Sequence, residues 1–143
     1  MRIIQLKLIL VFISILFTKD MHGQTSYVII INNNNPTISL SKKEIANLFL
    51  KKTTWKDNHL SMPVDLLANS EIRKRFTQDI HGKSVAAIRN YWQQTAFSGK
   101  TTIPPEKEND LEVIRFVKNN PTAIGYISIS SLTNEIKTLK IKP

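Results

Sequence analysis

Tyr27-Val28-Ile29-Ile30-Ile31 is an unbroken run of apolar, mostly β-branched residues. No polar residue marks a solvent side, so the run predicts a strand buried on both faces. Such a strand needs a layer on each side, and the flanking sequence supplies helices. Asn32-Asn33-Asn34-Asn35-Pro36 breaks the run, because Asn and Pro favour turns for backbone reasons. Ser41-Lys42-Lys43-Glu44 then reads as a capping box, in which Ser41 accepts from the third helical N–H and Glu44 reaches back. Ile45, Leu48 and Phe49 share one face of that helix. Lys51, Lys52 and Trp55-Lys56-Asp57-Asn58 end it and turn the chain. Leu60 to Leu66 is a second strand, which Pro63 places at an edge or a strand start.

Further along, Asn69 or Ser70 caps a second helix, with Ile72, Phe76 and Ile80 recurring every four residues toward the core. His81-Gly82-Lys83 is a helix stop. Ser84 caps a third helix whose stripe is Val85, Ile88, Tyr91 and Trp92. Phe97-Ser98-Gly99-Lys100 and Pro104-Pro105 form a loop. Asn109 or Asp110 caps a fourth helix, with Leu111, Ile114 and Val117 inward and Pro121 ending it. Ile124 to Ile129 is a third strand and Ile136 to Ile141 a fourth. Strands alternating with helices predict an α/β fold: one domain, with a mixed sheet flanked by helices.

A chain of 143 residues fits one domain, and 41% hydrophobic residues exclude a wholly disordered one. Zero cysteines exclude a disulfide framework, iron–sulfur ligation, a cysteine nucleophile and a lipoprotein anchor. There is no G-x-S-x-G, H-E-x-x-H, P-loop or G-x-G-x-x-G. His22, His59 and His81 have no spaced partner, so no metal site is expected. Glu106/Glu108 and Asp110/Glu112 read as a solvent-facing loop and a helix start, where acids suit the dipole. Four glycines leave few places to wrap a cofactor. We therefore expect no enzyme, no metal and no cofactor.

Residues 1–23 read as an export signal. Arg2 and Lys7 precede the apolar run Leu8 to Phe17, which is shorter than the ~20 residues of a permanent span. Thr18, Lys19 and Asp20 end the run, and Gly23 precedes the expected cleavage point. Residues 24–143 are then the mature domain, in the periplasm. Cleavage removes three of the 20 basic residues and one of the 11 acidic ones, leaving a formal charge of +7. That balance favours anionic partners. The lysines are dispersed, and no nucleic-acid motif is present, so nucleic acid is not expected as a partner.

One local feature suits an anion. Asn69-Ser70 opens a helix directly after a strand-like segment, where unpaired amides and the positive end of the dipole meet. Ser70 adds a hydroxyl, and Arg73 lies one turn on. The competing reading is that Ser70 or Asn69 only caps its own helix. Ser98-Gly99-Lys100-Thr101-Thr102 is a weaker candidate, a donor-rich loop.

Several of these stretches resemble, in order, the substrate-binding protein of bacterial phosphate ABC importers, a type 2 periplasmic binding fold. Leu40 to Lys52, followed by Thr54-Trp55-Lys56-Asp57, is similar to that family's "LS…E…IFLGK…(N)W.D". Pro63-Val64-Asp65 followed by Asn69-Ser70, with Arg73 and Phe76, resembles its strand–loop–helix with a Ser-rich helix start. Ala123-Ile124-Gly125-Tyr126-Ile127 resembles its "GAIGYV". The family has two lobes; this chain is long enough for one. Aligned on Ser70, the family's arginine position is Leu66, and its Gly-Thr becomes Glu71-Ile72, so only Ser70 carries over. The resemblance implies non-catalytic binding of a small oxyanion, phosphate, at Asn69, Ser70 and Arg73. It also implies a partner in an ABC transporter membrane component or another envelope protein. Leu66 and Glu71 favour an alternative: an accessory domain of the envelope that keeps the fold without the ligand.

Overall fold

The five-residue run quoted above, β1 (Tyr27–Ile31), is the middle strand of a five-stranded sheet, with Ile29, Ile30 and Ile31 all buried. The computed structural model describes residues 26–143, and the expected export segment over residues 1–23 lies outside them. Antiparallel neighbours flank β1: β6 (Ala123–Ser128) on one side and β7 (Lys137–Lys142) on the other. β2 (Ser39–Ser41) adds parallel to β7, and β3 (Met62–Pro63) parallel to β6. The order is therefore β2-β7-β1-β6-β3, a mixed sheet.

Helices cover both faces. On one face, α1 (Lys42–Phe49) and α2 (Glu71–Phe76) bring Phe49 and Phe76 onto Tyr126 of β6. Phe76 stacks flat on Tyr126, with centroids 3.8 Å apart and planes 9° apart. On the other face lies α4 (Asp110–Asn119), whose Val113 and Val117 meet Gly125. Its last carbonyls are held by Asn32, which donates from Nδ2 to the oxygens of Val117 and Lys118. α3 (Val85–Phe97) packs outside α1: Tyr91 donates its hydroxyl to Leu50 O, and Ile88 and Trp92 are buried. Among the described residues no helix is long and apolar enough to cross a membrane.

The capping box forms as its four residues predict. Ser41 Oγ accepts from Glu44 N at 3.2 Å, and Glu44 Oε2 accepts from Ser41 N at 2.7 Å. Ser70, Ser84 and Asn109 each cap the helix that follows. Past Phe76 the second helix widens into a π-turn (Thr77–His81), which Gly82 ends at φ +63°. The side-chain-free Cα of Gly82 supplies that left-handed turn without strain.

Gly125 is constrained for a different reason. A Cβ built there would lie 2.9 Å from Val113 Cγ1, 2.9 Å from Val64 Cγ1 and 3.2 Å from Val117 Cγ2. All three neighbours are buried β-branched side chains with little rotamer freedom. Gly125→Ala is expected to cost about 1–3 kcal/mol through overpacking. A urea melt checks this; an unchanged midpoint would mean that α4 shifts without cost.

Four expectations need correction. Leu60 to Leu66 is not one strand: Met62–Pro63 pairs with β6, whereas β4 (Asp65–Leu66) pairs with β5 (Glu106–Lys107) in a separate parallel pair. Leu111 does not face inward. It is 57% exposed, because the buried stripe runs through Val113 and Val117 at four-residue spacing. Val85 and Tyr91 are only half-buried. Glu106 faces solvent as expected but lies on a strand and not in a loop: β5 carries its carboxylate to Arg73 and Arg89.

Candidate functional site

β4 delivers Asp65 and Leu66 beside the C-terminal half of β6, and the chain then turns into α2. Ser70 N donates to Leu67 O at 3.0 Å to close that turn. Ser70 has extended backbone, and its Oγ accepts from Arg73 N at 3.2 Å, the usual N-cap bond. Glu71 and Ile72 are the remaining first-turn residues, whose amides have no carbonyl four residues back within the helix. Asn69 is exposed and leaves the cap to Ser70. Glu71 pairs outward with Lys74 at 3.0 Å.

Arg73 turns away from this helix start. Its side chain is 3% exposed, and Nη1 donates to Leu66 O at 2.8 Å and to Glu106 Oε2. Nη2 lies 3.7 Å from Asp65 Oδ2. Asp65 Oδ1 in turn accepts from the Tyr126 hydroxyl at 2.8 Å, and that hydroxyl accepts from Leu66 N at 3.2 Å. Burial pushes the Asp65 carboxyl above the usual carboxylate range, and Arg73 opposes that rise. Burial likewise raises the Tyr126 phenol. Arg89 of α3 approaches Glu106 Oε1 at 3.7 Å. A cavity of about 90 Å³ lies between Arg73, Arg89, Trp92, Pro104 and Glu106.

The site-forming residues therefore separate into two groups. Ser70 and the exposed Asn69 stay at the helix start. Arg73 belongs to a buried polar cluster in which two carboxylates already meet its charge. Asp65, Glu106, Tyr126 and Arg89 are the members that sequence reasoning missed. The available signal is Asp65 itself, a lone carboxylate between the buried Val64 and Leu66, since an unpaired buried charge is costly. Its partners are not legible in the sequence, because Tyr126 lies 61 positions away and Arg73 sits on a different element.

The loop candidate at Ser98 to Thr102 stands apart from both groups. Lys51 Nζ donates to Thr102 O at 2.9 Å and to Thr102 Oγ1 at 3.2 Å, and Gly99 takes a left-handed turn at φ +71°. His59 pairs with Asp57 at 2.8 Å in an exposed turn. His81 is packed edge-on against Phe49 and Phe76. Among the described residues no group of three His, Cys, Asp or Glu side chains could hold a metal ion.

This architecture has known counterparts. A substrate-binding protein assigned to a phosphate ABC transporter from Clostridium perfringens, solved with phosphate bound, superposes with a TM-score of 0.65 at 22% identity. An ABC-type phosphate transport receptor from Vibrio cholerae gives 0.63 at 18%, and a protein assigned to phosphate binding from Planctomyces limnophilus gives 0.60 at 15%. The match covers 80%, 80% and 81% of this chain, but only 44%, 45% and 41% of theirs. This chain has the fold of roughly one lobe of such a binding protein. At these identities the likeness extends to the fold. The lobe spans less than half the length of the solved structures it matches. No protein-family model and no curated protein matches the sequence.

Proposed function

We propose that this lobe is an exported, non-catalytic binding protein that receives a small oxyanion, phosphate by its fold, at the helix start formed by Asn69, Ser70 and the first-turn amides. One observation carries the reading: four fifths of the chain follows the backbone of three proteins described by their phosphate role. The helix start supports it locally, since amides aimed outward with the positive end of the dipole suit an anion. The described lobe supplies one wall of such a site, and firm binding calls for a facing wall from a partner such as a transporter membrane component or another envelope protein. Residues 1–23 direct export in this reading, with Gln24 opening the mature domain, and the mass of the native N-terminus tests it.

A second reading is favoured by one observation: the Arg73 charge is taken up by Asp65 and Glu106. Arg73 is then a structural residue, and the lobe is an accessory domain that binds an envelope protein and no small ligand.

Heating the purified mature chain with and without phosphate separates the two. Phosphate at a hundredfold excess over its dissociation constant is expected to add about 2.7 kcal/mol of stability. Ser70→Ala lowers the baseline by about 1 kcal/mol through the lost cap. The decisive quantity is therefore the phosphate-induced increment in that variant, which is expected to vanish. No increment in the parent chain with phosphate or sulfate would leave the accessory reading.

A further inference from the structure

The sheet has a second end, opposite Ser70, where β6 begins and β1 finishes. A groove of about 690 Å³ opens there, between the segment Asn34–Ser39, the turn Trp55–His59, and Pro121 with Thr122. Ligand sites commonly occupy a few hundred Å³ or more and have walls formed before the ligand arrives. These walls are held in place independently of any ligand. Trp55 forms the floor: its indole is buried, and Nε1 donates to Thr122 O at 2.9 Å. Its turn is tied by Trp55 N donating to His59 O at 3.0 Å and Asn58 N donating to Trp55 O at 2.9 Å, with Asn58 left-handed at φ +65°. The facing segment is pinned by asparagine side chains. Asn32 Oδ1 accepts from Asn34 N and Asn35 Oδ1 from Thr37 N, each at 3.0 Å.

The chemistry of the groove is that of an amphipathic anion. Pro36, Ile38 and Pro121 give it an apolar wall, and Ile38 keeps 68% of its surface exposed beside it. Two charged residues line the rim, Lys56 and Asp57. Asp57 already accepts from His59 N at 3.1 Å and pairs with His59 Nδ1 at 2.8 Å. Lys56 forms no ion pair with any described residue, so its ammonium is the charged group of the rim left open to a ligand, whereas the Asp57 carboxylate is engaged by the His59 backbone and ring. The geometry points to a binding site at Trp55–Lys56 for a small molecule with an apolar body and one anionic group. The body lies against Ile38 and Pro36, and the anion meets Lys56 Nζ. This site is separate from the Ser70 helix start and does not depend on phosphate binding there.

The test uses 8-anilinonaphthalene-1-sulfonate and its uncharged counterpart N-phenyl-1-naphthylamine on the mature chain. The sulfonate is expected to bind with a fluorescence rise, and Lys56→Gln to weaken it about threefold while leaving the uncharged dye unaffected. Ile38→Ser, at an exposed side chain, is expected to weaken both dyes. Phe97→Ser, at an exposed aromatic remote from the groove, is expected to change neither. The chain has two tryptophans, so its amide spectrum carries two indole N–H signals. Titration is expected to move that of Trp55 and not that of Trp92. A stationary Trp55 signal at saturation, or dye affinity indifferent to Ile38→Ser, would overturn the site. Equal losses of both dyes in Lys56→Gln would overturn its preference for anions.

Discussion

Replacing Arg73 by methionine is expected to destabilise the protein by about 3–5 kcal/mol. Methionine fills much of the space of the arginine stem but carries no charge. The loss strands Asp65, Glu106 and the Leu66 carbonyl, all of which now receive Arg73. A surface arginine of α2 such as Arg75 has no comparable set of buried partners, and Arg75→Met is expected to change stability by less than about 0.5 kcal/mol. Adding Asp65→Asn to Arg73→Met removes one stranded charge and keeps an acceptor for Tyr126, so it is expected to restore part of the loss. Urea melts of the single and double variants measure this coupling. A loss below 1 kcal/mol for Arg73→Met would mean that water already serves the cluster. The same variant bears on function: if Arg73 is structural, its effect appears in the melt rather than in anion affinity.

Acid is expected to weaken the fold through His81. Its Nδ1 is buried without a hydrogen-bond partner among the described residues, and the ring is packed against Phe49 and Phe76. Burial pulls its pKa down to about 4, with the charges of Lys83 and Lys52 acting in the same direction. In the native state the ring therefore stays neutral while the unfolded chain takes up a proton near pH 6.5. Stability falls as pH drops from about 7 toward 4, where the native ring also protonates. The separation of the two values corresponds to roughly 3 kcal/mol. His81→Leu is expected to flatten that slope and, by removing an unsatisfied buried atom, to preserve or raise stability at neutral pH. Melts at pH 7, 5.5 and 4.5 test the claim. Parallel profiles for the parent and the variant would assign the acid sensitivity to other groups.

These two residues also show what sequence could and could not convey. The capping box at Ser41 and Glu44 was legible because its partners sit three residues apart. The strand at β1 was legible because its burial is written into consecutive side chains. Arg73 looked like part of a ligand site, since spacing shows only that it lies one turn beyond Ser70. Its true neighbours come from β4 and β5, and β5 is two residues long with a charged sequence that carries no strand pattern. Leu111 was misplaced because a three-residue spacing with Ile114 and Val117 competed with the four-residue spacing of Val113 and Val117. The four asparagines looked like a bare loop, yet three of them place side-chain bonds across 85, 104 and two positions of chain. Pairings over such distances leave no periodic trace.

The two outermost strands of the five-stranded sheet have a consequence for how this lobe meets other chains. β3 contributes two residues, one of them Pro63, which has no N–H to offer; β2 contributes three, and its Ser41 N–H is already spent on Glu44. Neither rim presents the long row of vacant donors and acceptors on which a foreign polypeptide could stack. At both borders of the five-stranded sheet the strands are thus too short to template a further strand, which works against edge-to-edge aggregation.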